Sequence, residues 1–110
     1  MKNFIVIYHA PAEAIAQMAN ATEEEKAEGM KPWMAWAEKC GDQLVDLGAP
    51  LMGGQKLLPN GDSENSTRNV CGYSILKAEN IDGAKDLLKG HPHLGWMDSC
   101  DIEVHETAPM

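Results

Sequence analysis

The sequence predicts one α+β domain with a four-stranded antiparallel sheet and two helices on one face of it. The chain has 110 residues, the length of a single domain, and its 44% apolar and 24% charged residues are ordinary for a globular protein. Segments of strand and helix character follow one another in the order strand, helix, strand, strand, helix, strand. The first strand is apolar on both sides, which is typical of a strand in the middle of a sheet. Residues 1–110 are therefore expected to form one domain.

The first third of the chain contains the opening strand and the beginning of the first long helix. Residues 4–8 are a β-branched and aromatic run, which predicts a central strand. The alanine-rich residues 10–20 predict a weak helix or a turn, and residues 22–25 fit the capping box of a firmer helix. We expect a joint at Gly29 and Pro32, with a second helical piece beginning at Pro32, because proline fits the first turn of a helix.

This second helical piece is predicted over residues 33–47, where apolar residues recur at intervals of three and four. Gly48 is expected to end it. Residues 51–58 then predict a strand. The Gly53-Gly54 pair inside that strand indicates a bulge, or the close approach of a ligand or another backbone.

The remainder of the chain predicts a loop, two strands and a short helix. Residues 59–67 are turn-forming and predict a mobile connection, after which residues 69–78 regain the alternation of a strand. Asn80 is expected to cap a short helix that Gly90 ends. Residues 102–105 alternate between apolar and polar side chains and predict the last strand.

This order of elements is that of the split βαβ unit of ferredoxin-like folds, in which helices cover only one face of the sheet. Since the first strand is apolar on both sides, the other face needs a cover as well. A second copy of the chain, packed sheet to sheet, is the simplest cover. We therefore expect a homodimer through the sheet face, which is a dimeric α+β barrel.

Charge and composition exclude several classes of function. The chain has 17 acidic and 9 basic residues and a net charge of -8, which disfavours binding to nucleic acid or to anionic membranes. No apolar run is long enough for a signal peptide or a membrane span, so a cytoplasmic protein is expected. Glycine-rich nucleotide motifs are absent and no cofactor is expected. Cys40, Cys71 and Cys100 form neither a disulfide framework nor a zinc pattern, so buried thiols are expected.

His91 and His93 are the residues of this sequence best suited to chemistry. They flank Pro92 just after the predicted short helix, and Glu103 lies on the strand that follows. A histidine beside a carboxylate can move a proton near neutral pH, so His93 is a candidate general acid or base with Glu103 as its partner. The alternative is structural: one histidine binds carbonyl groups at the helix end and the other packs on Trp96. The possible metal ligands do not have the spacing of a metal site, and no metal is predicted. They are His9, His91, His93, Asp98, Cys100, Asp101 and His105.

Trp33 and Trp36 lie about one helical turn apart, a spacing at which aromatic residues pack in a core or line a pocket for an aromatic or unsaturated ligand. Both interpretations remain open. If the tryptophans line a pocket, they and the glycine pair favour a small-molecule ligand, which is the expected partner.

Several segments together resemble the YCII-related, or DGPF-domain, family and its subgroup with a Pro-His-Leu run. They are the opening strand at residues 2–8, the helix around Trp33 and Trp36, the Gly53-Gly54 strand, the Gly-Tyr-Ser-Ile block at residues 72–75, the run at residues 90–94 and the ending at residues 102–104. The resemblance spans nearly the whole chain. It implies a small bacterial protein with a ferredoxin-like fold that dimerises through its sheet.

The resemblance also implies where a catalytic role lies. Many family members carry a histidine on the first long helix and an aspartate before a proline, a pair suited to acid–base chemistry. This sequence has no histidine on that helix, and His91 precedes Pro92. A catalytic role is therefore expected at His93, with Glu103 as orienting carboxylate and Tyr73 as hydrogen-bond donor. The expected substrate-binding residues are Trp36, Gly53, Gly54 and His91.

Three functions follow from these observations. The first is a small enzyme, an isomerase or lyase, that acts on a small organic substrate with His93 as the proton-transfer residue. The second is a non-catalytic small-molecule binding or regulatory module that uses the same pocket. The third is a purely structural interaction domain, since a fold does not determine a function.

Overall fold

The computed structural model describes residues 1–109. Strand β1 (Lys2–His9) is followed by helix α1 (Ala12–Ala19), helix α2 (Glu23–Cys40), a 3-10 turn (Gly41–Gln43) and strand β2 (Leu44–Pro50). Two short strands come next, β3 (Gln55–Leu57) and β4 (Ser63–Asn65), and then the long strand β5 (Val70–Ala78). Helix α3 (Ile81–Leu88), a 3-10 turn (Pro92–Gly95) and strand β6 (Asp101–Glu106) follow. No helix within the described residues is both long enough and apolar enough to cross a membrane.

The four main strands form one antiparallel sheet in the order β2, β5, β1, β6. β1 and β5 lie in the middle, and their register runs from Lys2 opposite Ala78 to Tyr8 opposite Gly72. Each connection through a helix joins two strands that have one other strand between them, as in the split βαβ unit. The predicted fold class, an α+β ferredoxin-like domain with a four-stranded antiparallel sheet, is confirmed.

The helices cover one face of this sheet, and the core lies between the two layers. Phe4, Val6 and Tyr8 alternate along β1 and are buried on this face. Trp36 of α2 is also buried, and its indole N–H donates to the backbone carbonyl of Leu87 at 2.8 Å. Burial of each large apolar side chain stabilises the fold by about 1.5–3 kcal/mol. The Trp36 bond connects α2 to the end of α3, so both helices are held over the same part of the sheet.

The start of α2 agrees with the prediction, and its predicted joint is wrong. The hydroxyl of Thr22 accepts the backbone N–H of Glu25, and the Glu25 carboxylate accepts the backbone N–H of Thr22, each at 3.1 Å. This is the predicted capping box. The helix then continues through Gly29 and Pro32 without a break. Because this part of α2 is exposed, water can bond to the Glu28 carbonyl, which has no N–H donor four residues later.

The predicted end of the helix at Gly48 is also wrong. The helix ends at Cys40, where Gly41 takes a φ of 56°, and Leu44–Pro50 forms the edge strand β2. Leu44 and Leu47 pack against the core from this strand, whose pairing with β5 contains two irregularities. A bulged strand can place residues three apart on the same face, so their spacing also fits a helix.

The strand predicted at residues 51–58 is not part of the main sheet. Only Gln55–Leu57 is extended, and it pairs with Ser63–Asn65 in a separate exposed hairpin. The predicted loop at residues 59–67 therefore contains the second strand of this hairpin. β2, earlier in the chain, takes the place in the main sheet that was predicted for residues 51–58.

The face of the sheet away from the helices carries an apolar stripe along its middle. Ile5 and Ile7 of β1 lie opposite Ile75 and Tyr73 of β5. All four side chains are partly exposed. We call this surface the open face, and the homodimer through it stays a prediction.

Candidate functional site

A buried cluster of aromatic and imidazole rings lies between α2 and the sheet. The ring centroid of Tyr8 is 4.9 Å from that of Trp33 and 5.1 Å from that of His91. The ring centroids of Trp36 and His91 are 4.4 Å apart. His91 and His93 are only 2% and 3% exposed. The two histidines of the His-Pro-His run are thus packed into the domain.

The hydrogen bonds of this cluster form a chain in which each group donates to the next, from the backbone N–H of His93 to the carbonyl of Leu47. The backbone N–H of His93 donates to Nδ1 of His91 at 3.0 Å, so the neutral His91 ring carries its proton on Nε2. That nitrogen lies 3.3 Å from the Tyr8 hydroxyl, which in turn donates to the Ser74 hydroxyl at 2.8 Å. Ser74 donates to the carbonyl of Leu47 at 2.6 Å. Every donor in this buried chain has an acceptor, as a stable polar network in a core requires.

Burial keeps this network uncharged at neutral pH. Loss of solvation lowers the pKa of His91 to about 4, and repulsion from His93 adds to the effect. Burial raises the pKa of Tyr8 to about 12. The His91 ring therefore acts as a neutral hydrogen-bonding group near pH 7.

His93 connects the cluster to the end of β1. Its Nε2–H donates to the backbone carbonyl of His9 at 2.7 Å, which leaves Nδ1 as the unprotonated nitrogen of the neutral ring. No group within residues 1–109 hydrogen-bonds this Nδ1. The ring also packs on Trp96, with 6.1 Å between centroids, as the structural alternative expected.

The structure does not bring the predicted catalytic residues together. Glu103 lies on the open face, and His93 lies on the helix side of the sheet. The carboxylate of Glu103 accepts a hydrogen bond from Nε2 of His105 at 2.8 Å. Tyr73 is also on the open face, where its hydroxyl is 3.4 Å from a carboxylate oxygen of Asp46. Glu103 therefore does not orient His93, because the sheet separates them.

The predicted substrate-binding residues are also divided. Trp36 and His91 meet in the buried cluster, but Gly53 and Gly54 lie at the base of the β3–β4 hairpin. The carbonyl of Gly54 accepts the backbone N–H of Ser66 at 2.9 Å. The close approach at the glycine pair is therefore to another part of the chain.

A different feature is the cleft at the end of the sheet, where β1 ends and β6 begins. It has a volume of about 410 Å³, within the usual range of small-molecule sites. We call it the β1–β6 cleft. Its lining residues are His9, Ala10, Pro11, Arg68, Asn69, Ser99, Asp101 and Glu103.

The β1–β6 cleft contains a histidine–aspartate pair. His9 and Asp101 lie directly opposite each other in the sheet register, and Nδ1 of His9 is 3.0 Å from Oδ1 of Asp101. A bulge in the pairing of β1 with β5 falls between Tyr8 and His9, and bulges of this kind redirect side chains. In the neutral form of the ring, Nδ1–H donates to the carboxylate and Nε2 carries the lone pair. No group of residues 1–109 hydrogen-bonds that Nε2.

Reasoning from the sequence missed this pair and considered His9 only as a possible metal ligand. A signal was nevertheless present. In the split βαβ order, the first and last strands are antiparallel neighbours, so the end of the first strand meets the start of the last. His9 and Asp101 occupy those two positions.

Arg68 and Glu103 give the β1–β6 cleft charges of both signs. Arg68 is the one arginine of the sequence, its side chain is exposed, and it forms no ion pair within residues 1–109. The hydrogen bond from His105 lowers the pKa of Glu103, and the charges of His9 and Arg68 lower it further. The lining of the cleft thus includes an arginine that forms no ion pair and an imidazole nitrogen that accepts or donates no hydrogen bond within residues 1–109.

The described residues do not form a metal site. In the part of the chain that the structure describes, no three His, Cys, Asp or Glu side chains are grouped so that they could hold a metal ion.

Comparison with known proteins gives weak structural similarity and no match in sequence. No family model and no curated protein matches the chain. The chain is similar to the solved structure of 5-chloro-2-hydroxyhydroquinone dehydrochlorinase from Burkholderia phenoliruptrix, in complex with 2,5-dihydroxybenzoquinone. The identity is 17% and the TM-score 0.48, over 94% of this chain and 91% of the other. At this level the similarity carries no argument about activity, and the fold assignment rests on the strand order and register.

Proposed function

We propose that this protein is a small acid–base enzyme, an isomerase or lyase, which acts on a small organic substrate in the β1–β6 cleft with His9 as the proton-transfer residue. The main support is the 3.0 Å hydrogen bond between Nδ1 of His9 and Oδ1 of Asp101 in the lining of the cleft. An imidazole that a carboxylate holds on one nitrogen, with the other nitrogen free, is the arrangement of a general base.

The proposed reaction begins when Nε2 of His9 takes a proton from a carbon next to a carbonyl group. The C–H bond breaks, its electron pair forms an enolate with the carbonyl, and a new N–H bond forms on His9. Asp101 stabilises the imidazolium that results. Return of the proton to a different carbon completes an isomerisation, and loss of a leaving group from the neighbouring carbon completes an elimination.

His93 is a positioning residue in this proposal. Its Nε2–H holds the backbone carbonyl of His9 and so fixes the end of β1 on which the dyad is built. Direct proton transfer by His93, as expected from the sequence, is the competing assignment, and its Nδ1, which has no hydrogen-bond partner within residues 1–109, supports it. The two assignments differ in which histidine is needed for the proton-transfer step.

Hydrogen–deuterium exchange at carbon tests the proposal without knowledge of the product. The protein is incubated in D2O with a panel of small carbonyl compounds, and loss of C–H signals is followed by proton NMR. We expect exchange in at least one compound. His9→Gln should slow it by about 100-fold, the usual contribution of a general base. Asp101→Asn should slow it by roughly tenfold, since the ring loses a charged partner.

The same variants discriminate between the two histidines. His9→Gln that exchanges at the wild-type rate would show the assignment to be wrong. His93→Gln that loses all exchange, combined with an active His9→Gln, would establish His93 as the base. Circular dichroism and urea unfolding of each variant show whether a loss of exchange reflects a loss of fold.

A non-catalytic binding or regulatory module is the second candidate function. The observation that favours it is the wide opening of the β1–β6 cleft, since both partners of the dyad are in contact with solvent, at 19% and 69% side-chain exposure. Enzymes that form enolates commonly exclude water from the site. Saturable binding of a panel compound with no exchange at carbon would support this function and exclude the first.

We also propose that the protein forms a homodimer through the open face and belongs to the YCII-related family. The support for the dimer is the apolar stripe of Ile5, Ile7, Tyr73 and Ile75. Light scattering after gel filtration should give a dimer for the wild type and a monomer for Ile75→Lys. Met34→Lys makes the same chemical change at an exposed position of α2 and should remain dimeric. A monomeric wild type would exclude the dimer.

A further inference from the structure

We infer that the ligand of the β1–β6 cleft is a small organic monocarboxylate, bound through its carboxylate by Arg68. The inference rests on the proposed function for the identity of the site. It adds the chemical class of the substrate and the residue that recognises it.

Arg68 lines the cleft and is free to bind an anion. Its guanidinium group forms no ion pair within residues 1–109, although the chain has 17 acidic residues. The two carboxylates in the lining of the cleft have other partners: Asp101 accepts from His9, and Glu103 accepts from His105. A planar guanidinium group matches a carboxylate through two parallel hydrogen bonds.

The backbone around Arg68 is held in place by hydrogen bonds. The backbone N–H of Arg68 donates to the Ser66 hydroxyl at 3.3 Å. Asn69 takes a φ of 58°, and within residues 1–109 it is the one residue other than glycine with a positive φ. Its carbonyl accepts the backbone N–H of Ala10 at 3.1 Å, which joins this segment to the end of β1. Arg68 is thus attached to the same strand end as His9, and both side chains line one cleft.

The acidic residues of the cleft limit the number of negative charges that a ligand can carry. Asp101 and Glu103 lie in the same lining, and the protein has a net charge of -8. A second negative charge on the ligand would meet these carboxylates, so dianions such as phosphates and dicarboxylates are disfavoured. Ala10 and Pro11 provide small apolar lining for the carbon part of the ligand. A monocarboxylate with a compact apolar body satisfies all of these conditions.

The experiment uses the fact that the chain has one arginine. The side-chain Nε–H of Arg68 gives a single nitrogen–proton NMR signal that needs no further assignment. Benzoate is the probe, benzamide is its uncharged counterpart, and phthalate is its dianionic counterpart. We expect benzoate to shift this signal in a saturable manner, and benzamide and phthalate to bind at least about tenfold more weakly. Equal affinity for benzoate and benzamide would overturn the inference.

Matched variants separate recognition by Arg68 from the effect of overall charge. Because Arg68→Ala lacks the arginine signal, benzoate binding to the variants is followed through the NMR signals of the His9 ring. Arg68→Ala should weaken benzoate binding at least about tenfold. Lys26→Ala removes the same charge from an exposed position of α2 and should leave the affinity within about twofold, because that charge is screened. Unchanged affinity in Arg68→Ala, or an equal loss in Lys26→Ala, would overturn the inference.

Failure of this inference and failure of the proposed function give different results. Selective benzoate binding that persists in His9→Gln, with no carbon acid exchanging in the wild type, would retain the carboxylate site and exclude the enzyme. Exchange that depends on His9 and is unchanged in Arg68→Ala would retain the enzyme and exclude recognition of a carboxylate by Arg68.

Discussion

Acidification from pH 7 to pH 5 is expected to destabilise the folded protein by about 2 kcal/mol through His91 alone. His91 is 2% exposed, and burial lowers its pKa from 6.5 to about 4. Between these pH values the unfolded chain binds a proton at His91 that the folded chain does not bind. Stability therefore rises with pH across this window and is lost as the pH falls from 6.5 towards 4. One pKa unit corresponds to about 1.4 kcal/mol, so the complete effect is about 3 kcal/mol.

Urea unfolding at a series of pH values measures this effect. Tryptophan fluorescence is a suitable signal, because Trp33 and Trp36 pack directly on the His91 ring. His91→Gln removes the titrating group, so its free energy of unfolding should change by less than about 1 kcal/mol between pH 7 and pH 5. A wild-type free energy of unfolding that is the same at both pH values would refute the reasoning, as would an unchanged pH dependence in His91→Gln.

The His91 ring signals provide a second measurement in case His91→Gln does not fold. In wild-type protein these NMR signals should show no titration above pH 5. A midpoint near 6.5 would show that the ring is hydrated, and that the one-way hydrogen-bond chain through Tyr8 is not formed in solution.

Three further predictions concern the free energy of unfolding. Tyr8→Phe removes the hydroxyl between His91 and Ser74 and should cost about 2 kcal/mol in urea unfolding at pH 7, whereas a neutral result would show that these groups are hydrated. Gly48→Ala should cost about 3 kcal/mol, because Gly48 has a φ of 83° and an added Cβ would overlap the Tyr73 carbonyl oxygen; wild-type stability would contradict the β2–β5 register. Thr22→Ala removes half of the capping box and should lower stability by about 1 kcal/mol, and a matching loss of helical circular dichroism at partial unfolding should accompany it.

Local signals in the sequence were sufficient for most of the elements. β1, β5 and β6 follow from alternation and β-branched residues, and these patterns depend only on the chain itself. The start of α3 follows from Asn80, whose side chain accepts the N–H of Gly83 at 2.8 Å. β2 could not be found in this way, because Leu44 and Leu47 have a spacing that fits both a helix and a bulged strand. Only pairing with β5 selects the strand.

For the candidate site, the sequence identified unusual residues, but their roles depend on the tertiary structure. The sequence indicated that His91 and His93 were unusual, but whether an imidazole titrates or forms part of a core depends on what surrounds it. Burial against Tyr8 and the two tryptophans makes His91 a neutral core group. The predicted partnership of His93 with Glu103 is not formed, because Glu103 points to the open face of the sheet, whereas His93 packs against Tyr8 on the helix side.

Hydrophobic periodicity and capping act over a few residues, so the α+β class, the N-terminal caps of α2 and α3 and the central strand could be predicted from the sequence. The tertiary structure alone decided which chemical groups meet. His9 and Asp101 are separated by 91 intervening residues, and they form a 3.0 Å hydrogen bond because β1 and β6 are antiparallel neighbours in a sheet closed by long-range pairing. Arg68 lines the same cleft as His9 and Asp101. It does so because the chain just before β5 is hydrogen-bonded to the end of β1, through the Ala10 N–H and the Asn69 carbonyl. Contacts of this kind depend on strand order and register, which no short segment of the chain specifies.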